Sequence, residues 1–251
     1  MLVNNGSIIV ETSISQYEYF HVDLETYSIL TAEGLETESC LETGNRGDSA
    51  NAAVAEPNPD FSIDPTNKSW ADAAPPLTVD RETVQPIWQR LASRAARMGL
   101  TSAAVEAQPT DEPDIRLLTD AGLEIRPTLS DGRTYAFVVP AGTGGGQLRL
   151  LSLSSRPCDT IGPFVDDRRP LGVLIDKLGR GLGRRRIPVN AHLAAESMSG
   201  WYSLEGAAAT ARWTNGNAVL PIDFALAQGR PVFIDVEVVD AGPYAVSALA
   251  A

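Results

Sequence analysis

The chain has 251 residues, of which 43% are hydrophobic and 21% are charged. These values are typical of a globular protein and exclude a chain that is disordered throughout. The formal net charge is −12, and an acidic surface repels phosphate backbones, so nucleic acid is not an expected partner. The longest apolar runs have the length of strands, well short of the ~18 residues that a membrane helix requires, so no membrane segment is predicted.

The acidic side chains are concentrated in the first third of the chain. Residues 1–76 contain 13 acidic and 2 basic side chains, whereas residues 77–251 contain 19 and 18. The sequence does not open with a basic segment followed by an apolar one, so no signal peptide is predicted. The default expectation for location is therefore the cytoplasm.

Few side chains suit metal or redox chemistry. Cys40 and Cys158 lie 118 positions apart, so we expect two free thiols, with a long-range disulfide as the alternative. The two histidines, His21 and His192, stand in no spacing with Cys, Asp or Glu that suggests metal ligands. We therefore expect no metal and no cofactor.

The opening segment predicts three short strands with period-two alternation. They are SIIVE (7–11), YEYFHVDL (17–24) and YSILTAE (27–33), followed by a turn at Gly34. Three short strands bury too little apolar surface to be stable alone. We expect them to pack on the following domain, on a partner, or on a missing half of their own fold.

A linker and one helix follow. Residues 47–79 are rich in Asn, Asp, Ala and Pro and predict a linker, with Trp70 as an anchor to the next domain. Residues 80–100 predict a helix that Asp80 caps and Gly99 ends. Its apolar face has helical spacing and comprises Ile87, Leu91 and Ala95. Its solvated face carries three arginines, Arg90, Arg94 and Arg97.

The rest of the chain, residues 101–251, predicts an antiparallel β-sandwich-like domain, because short apolar runs alternate with turn signals. Asp131-Gly132 and GTGGG (142–146) are the expected hairpin turns. The candidate strands are IRLLTD (115–120), LEIRPTL (123–129), TYAFVVP (134–140), QLRLLSLS (147–154), LGVLIDKL (171–178), RIPVNA (186–191), NAVLPID (217–223) and PVFIDVEVV (231–239).

Residues 19–46, YFHVDLETYSILTAEGLETESCLETGNR, resemble the closing segment of a bacterial Hedgehog/intein (Hint) self-processing domain of the alphaproteobacterial type. The family segment runs approximately YFHIELxxHDVLLAEGLPAESYLDTGNR, and the resemblance covers about residues 1–50. The residues that match it in order are Tyr19, Phe20, His21, Val22, Leu24, Ala32, Glu33, Gly34, Leu35, Glu38, Ser39, Thr43, Gly44, Asn45 and Arg46. The resemblance implies that residues 1–46 are a Hint C-terminal remnant.

The Hint-like motif departs from the family where the chemistry would occur. Tyr27 stands where the family has a second histidine, and a tyrosine cannot replace imidazole near neutral pH. The family's nucleophile and its Thr-x-x-His block would precede Met1. We therefore predict that the chain does not cleave itself, and that His21 is a strand residue. The alternative is that the chain is the C-terminal part of a longer or split autoprocessing protein.

A second resemblance concerns the sandwich. The segment around GWYSLEGAAATARWTNG resembles β domains attached to bacterial glycosyltransferases and other glycan-related proteins. Its candidate ligand-binding residues are Trp201, Tyr202, Glu205, Arg212 and Trp213. Aromatic faces stack on sugar C–H surfaces, and carboxylate and guanidinium groups bind hydroxyls. The alternative is purely structural, with a buried Trp201–Trp213 pair and a Glu205–Arg212 ion pair.

Two charged segments also have two interpretations each. Asp166 to Arg169 predicts an ion-paired turn, with an acid–base pair as the alternative. Lys177 to Arg186 predicts a mobile, solvated hairpin tip, with an anion-binding loop as the alternative. The basic residues of this second segment are Lys177, Arg180, Arg184, Arg185 and Arg186.

Three functions remain open at this point. The first is a non-catalytic Hint-remnant protein whose β-sandwich binds a glycan or a protein. The second is autoprocessing together with a missing Hint half. The third is a structural or assembly protein, including a homo-oligomer formed through the head strands.

Overall fold

The structure of the protein is a computed structural model. It describes residues 1–16, 24, 28–39, 78–100, 108–143, 146–182, 185–194, 197–206, 208–222 and 230–246.

Fourteen strands and three helices lie within the described residues. The helices are α1 (Arg81–Arg97), α2 (Pro157–Thr160) and α3 (Ala191–Ala194). The strands are β1 (Ile29–Ala32), β2 (Leu35–Glu38), β3 (Gln108–Thr110), β4 (Arg116–Thr119), β5 (Glu124–Ile125), β6 (Leu129–Ser130), β7 (Thr134–Val139), β8 (Leu148–Leu151), β9 (Val173–Leu182), β10 (Arg185–Val189), β11 (Arg212–Trp213), β12 (Asn217–Leu220), β13 (Val232–Ala241) and β14 (Tyr244–Val246).

Two antiparallel sheets form the body of the protein. One has the strand order β10-β9-β13-β7-β6, with β11 also paired to β9, and the other has the order β12-β8-β4-β5. A separate pair is formed by β14 and β3. The mainly β architecture with antiparallel sheets was predicted from the sequence and is confirmed.

The core contains side chains from both sheets. In β7, for example, Tyr135, Phe137 and Val139 are buried and alternate with partly exposed residues, as a strand with one inner face requires. Leu117, Leu150 and Ile234 belong to the same cluster and are almost completely buried. Each such side chain contributes about 1.5–3 kcal/mol through removal of apolar surface from water.

The end of β13 is irregular where it approaches the outer surface. The pairing of β13 with β9 shifts register between Glu237 and Val238 and again between Val238 and Asp240. Such bulges bend a strand and re-aim the side chains that follow. As a result Asp240 lies opposite Leu174 of β9.

The buried face of helix α1 overlaps the predicted face only in part. Val84 and Ala95 are its buried residues, Trp88 is half-buried between them, and Ile87 is 37% exposed. The observed buried face is rotated about the helix axis from the predicted one. The sequence did not separate the two faces, because Val84, Trp88 and Ala95 have helical spacing as good as that of Ile87, Leu91 and Ala95. The Asp80 side chain makes no capping hydrogen bond.

The helix connects the start of the chain with the sandwich. Trp88 donates its indole N–H to the carbonyl of Val3 at 2.8 Å, and its ring meets the ring of Phe164 edge-on at 5.3 Å. The carboxamide oxygen of Asn4 accepts N–H groups from Gly6, Ser7 and Ile8 and closes a turn. Residues 1–8 therefore pack on the helix through a turn.

Several sequence predictions need correction or fall outside the described residues. SIIVE is not a strand, since residues 7–16 are irregular. Asp131-Gly132 does form the β6–β7 hairpin, but the 142–146 segment connects β7 and β8, which belong to different sheets. The predicted strand 17–24 and almost all of the linker 47–79 lie outside the described residues.

Candidate functional site

The predicted Trp/Tyr/Glu/Arg cluster is built at a corner beside β11. Trp201 and Thr214 form an isolated bridge, and Tyr202 donates its N–H to the carbonyl of Trp213 at 3.0 Å. Gly200 precedes the corner at φ +83°, where a Cβ would collide with the backbone at Asn217. Glycine is therefore required at this position for the chain to enter the corner.

The two residues of β11 face opposite ways, because side chains alternate along a strand. Arg212 is paired with Ile175, which is a core residue, and is itself 2% exposed. Trp213 is paired with Leu174, which is half-buried on the outer face. The predicted cluster is thus divided between the interior and the exterior of the sheet.

The inner half of the corner is structural. Trp201 is 8% exposed and donates its indole N–H to the carbonyl of Val219 at 2.7 Å. Arg212 donates to the carbonyl of Tyr202 and, at 2.9 Å, to the carbonyl of His192. Burial lowers the pKa of Arg212. All of these donors are turned towards main-chain carbonyls inside the protein, where a ligand has no access.

His192 completes this inner half. It is fully buried, its ring lies 5.5 Å from the ring of Trp201, and its two ring nitrogens face the carbonyls of Val189 and Asp176 at 3.2 and 3.1 Å. Burial lowers the pKa of the imidazole. A neutral imidazole has one N–H, so it donates to one of these two carbonyls and contacts the other. The residue therefore packs as a buried structural side chain between two main-chain segments.

The outer side of the corner carries an ion-pair network. Arg169 contacts Asp167 at 2.6 Å and Glu205 at 2.7 Å, and its guanidinium lies 5.2 Å from the centre of the Tyr202 ring. The side-chain hydrogen bond from Arg169 lowers the pKa of Asp167. The prediction of an ion-paired turn at 166–169 is confirmed for this pair. The structural alternative of a Glu205–Arg212 pair is not found: Glu205 pairs with Arg169.

Trp213 and Asp240 flank the same residue of β9. Leu174 is opposite Trp213 on one side and opposite Asp240 on the other, so all three side chains project from the same face of the sheet. Two strand spacings separate the two flanking backbones, about 9–10 Å. The aromatic ring of Trp213 and the carboxylate of Asp240 are therefore placed on either side of the Leu174 side chain.

A pocket of about 110 Å³ occupies this region. Its walls come from distant parts of the sequence, and the lining residues include Trp213, Asp240, Ser155, Thr160, Leu171 and Tyr244. The Tyr244 hydroxyl donates to the carbonyl of Gly172 at 2.7 Å, and burial raises the pKa of this phenol to about 12. Tyr244 therefore remains neutral at physiological pH and is engaged with the protein.

The pocket retains unused hydrogen-bonding capacity. One carboxylate oxygen of Asp240 accepts the N–H of Ala241 at 2.9 Å, and none of the described residues donates to the other oxygen. Ser155 Oγ accepts the N–H of Ala245 at 2.9 Å, which leaves its hydroxyl hydrogen available to a ligand. The Trp213 indole N–H likewise has no acceptor among the described residues.

Sequence reasoning identified Trp213 but missed Asp240, Ser155, Thr160 and Tyr244. They come from two distant stretches, 155–160 and 240–244, which the fold brings together beside β9 and β11. The Gly242-Pro243 turn signal two residues after Asp240 was the available hint that a strand ends at a surface there.

The remaining predicted sites divide into described and undescribed residues. Glu33 and Gly34 form the tight turn between β1 and β2 with φ of 49° and 79°. His21, Tyr27, Asn45 and Cys40 lie outside the described residues. Cys158 is a free thiol whose pKa is raised by burial, and a raised pKa disfavours the reactive thiolate.

The segment 177–186 belongs to a hairpin, as predicted, and the tip of that hairpin, residues 183–184, lies outside the described residues. Residues 173–182 and 185–189 pair as the long β9–β10 hairpin. Lys177 contacts Glu237 at 2.9 Å and Arg186 contacts Asp235 at 2.9 Å, whereas Arg184 lies outside the described residues. Two of the basic side chains are therefore already paired with carboxylates, which weakens the anion-binding interpretation.

Metal sites, membrane helices and known relatives were the remaining possible indications of function. Among the described residues, no group of His, Cys, Asp and Glu side chains is arranged to hold a metal ion. The described part of the chain contains no helix that is both long and apolar enough to cross a membrane. No protein-family model, no curated protein and no solved structure matches the chain.

Proposed function

We propose that the protein is a non-catalytic binding module that holds one sugar ring between Trp213 and Asp240. The observation that carries this proposal is the common placement of the two side chains on either side of Leu174, at a pocket with unused polar groups. An aromatic wall suits the C–H face of a pyranose. A carboxylate and a hydroxyl opposite that wall suit its hydroxyl groups.

The volume of the pocket limits the size of the ligand. Sites for drug-sized molecules usually have volumes of about 300–1,000 Å³, whereas this pocket has about 110 Å³. It is therefore suited to one face or edge of a terminal sugar, or to a small polyol, and the rest of a larger ligand would have to lie outside it. Asp240 would favour a neutral or cationic sugar over an acidic one.

The lining residues favour binding over catalysis. Glycoside hydrolysis ordinarily uses a pair of carboxyl groups on either side of the scissile bond, and Asp240 is the one carboxylate among the described lining residues. The described lining also contains no His, Cys or Lys that could serve as a nucleophile or a base.

A glycan array followed by titration calorimetry tests the sugar proposal. Trp213→Ala should lose binding and Trp213→Phe should keep most of it, because stacking requires only an aromatic face. Trp88→Phe, which alters a tryptophan on α1, is the matched control and should bind normally. Sugar affinity that is the same for wild type and Trp213→Ala, with both variants folded by circular dichroism, would refute the proposal.

The absence of autoprocessing has its own test. We infer that the Hint-like segment reflects ancestry rather than activity, because Tyr27 stands in place of the family's histidine. Purified protein incubated for days with and without a thiol should give one unchanged mass by mass spectrometry. A fragment that accumulates with time and disappears in a His21→Ala variant would show that the segment is active.

Assembly is a second candidate function, and the head hairpin is the observation that favours it. Strands β1 and β2 pair only with each other among the described strands, and Ile29 and Leu35 are 49% and 73% exposed. Exposed strand edges and apolar side chains are typical of surfaces that receive a partner. Light scattering over a concentration series should show an increase in mass, and a constant monomer mass would exclude this function.

A further inference from the structure

The outer face of α1 carries a row of arginines with no partner in the described part of the chain. Arg90, Arg94 and Arg97 are spaced by four and three residues, so they project from the same side of the helix, and all three are exposed. The surface on this side is open, and Pro86 and Leu91 of the same helix contribute apolar surface to it.

This face differs from most of the other cationic surface. Arg126, Arg156 and Lys177 are highly exposed, yet each lies within 3 Å of a carboxylate. Arg169 and Arg186 are similarly paired. The arginines of α1 have no carboxylate within ion-pair distance in the described residues. A row of like charges along one helix face is unfavourable unless something anionic covers it.

The β1–β2 hairpin presents the opposite charge on one of its two faces. Residues directly opposite each other in an antiparallel pair share a face, so the pairs Ile29–Glu38 and Thr31–Glu36 lie together. Both glutamates are exposed, and neither forms an ion pair with a described residue. The result is a small acidic face with an exposed isoleucine at one end.

The two faces also match in spacing. Glu36 and Glu38 are two residues apart along a strand, about 6.7 Å. Arg90 and Arg94 are four residues apart along a helix, about 6 Å. A hairpin lying along this face of α1 can therefore bring each glutamate to one arginine at the same time. Ile29 would then meet the apolar side chain of Leu91.

We propose that the occupant of the arginine face is the β1–β2 hairpin of a second copy of this chain. The inference rests on the assembly function proposed above and specifies its interface. If each copy gives its hairpin and receives its partner's, a twofold axis closes the complex as a dimer. Because the paired charges are on the surface, the dimer should be weakened by salt.

Charge reversal with rescue is the decisive experiment. Sedimentation velocity of the full chain should show a monomer–dimer equilibrium at low salt that shifts to monomer at about 0.5 M salt. Arg90→Glu/Arg94→Glu and, separately, Glu36→Arg/Glu38→Arg should each raise the dimer dissociation constant by about tenfold or more, because like charges then face each other. Mixing the two double variants should restore a heterodimer, because one contact then has its original charges and the other has both charges reversed, so opposite charges face each other at both.

Arg168→Glu combined with Arg133→Glu is the matched control for the arginine variant, since it changes the net charge by the same amount at two exposed residues outside the arginine face and should leave the dimer intact. A chain that is monomeric at every concentration would refute both assembly and this interface. A dimer that resists both charge reversals would refute the interface while leaving assembly intact. Weakening by each double variant without recovery in the mixture would also contradict the proposed pairing.

Discussion

The two sides of β11 show how one short strand serves two purposes. On the inner side, Arg212 and Trp201 are buried, and their donors are used by main-chain carbonyls. On the outer side, Trp213 is half-buried at a pocket, and its donor is unused in the described structure. Arg212 and Trp213 are adjacent, and both residue types suggested ligand binding in the sequence, yet they differ completely in solvent accessibility. Trp201 and Arg212 support the fold, and Trp213 is the member available to a ligand.

The largest expected difference between the two sides is in stability. Trp201→Ala should lower the free energy of unfolding by about 3–5 kcal/mol, because it leaves a large cavity beside the core. Trp213→Ala should lower it by only about 1 kcal/mol, since part of that ring is already in water. Urea unfolding of both variants measures the contrast. Equal losses would mean that the two sides are not distinct.

Arg212→Met tests whether the buried guanidinium acts as a main-chain connector. The replacement has similar length but leaves the carbonyls of Tyr202 and His192 without these donors, at an expected loss of about 1–3 kcal/mol. Arg168→Met, at an exposed position, should change stability by less than about 0.5 kcal/mol. A variant as stable as wild type would indicate that the release of a buried charge offsets the lost hydrogen bonds.

The inner side should also respond to pH through His192. Burial lowers its pKa below the ordinary value of 6.5, so the unfolded chain binds a proton more readily than the folded one. The contribution of His192 is therefore fully present above pH 6.5 and is lost as the pH falls through the lowered pKa. Arg212, whose carbonyl-bound guanidinium lies beside the ring, opposes the imidazolium further.

The measurement is the free energy of unfolding between pH 7.5 and pH 5, compared for wild type and His192→Gln. The variant should lose overall stability, and its stability should fall less steeply below pH 6.5. His21→Gln is the matched control, as it removes the other histidine of the chain, and should keep the wild-type slope. A slope that persists in His192→Gln would assign the effect to carboxylates instead.

The sequence predicted the strands of the sandwich well because their alternation records burial directly, as in TYAFVVP of β7. The sequence also located the corner beside β11. It could not show which side chains of the corner are buried, because whether Arg212 and Trp213 point inward or outward depends on the pairing of β11 with β9. Asp240 was not predictable for the same reason, because two register shifts bring it opposite Leu174. Long-range register is absent from local patterns.

The smallest expected effect concerns the ion pair that joins the outer side of the corner to the 166–169 turn. Glu205→Gln removes one of the two carboxylates on Arg169, and the side chains of this pair are 38% and 56% exposed. Exposed ion pairs contribute about 0–1 kcal/mol, and Asp167 still holds the guanidinium at 2.6 Å, so the stability should barely change. Sugar affinity should be unchanged as well, because Glu205 does not line the Trp213 pocket. If Glu205→Gln instead abolished binding while Trp213→Ala did not, the ligand would bind at the ion-pair network of Arg169 and Tyr202. The accessible side of β11 would then be the side that carries this network, and Trp213 would not be part of the ligand site.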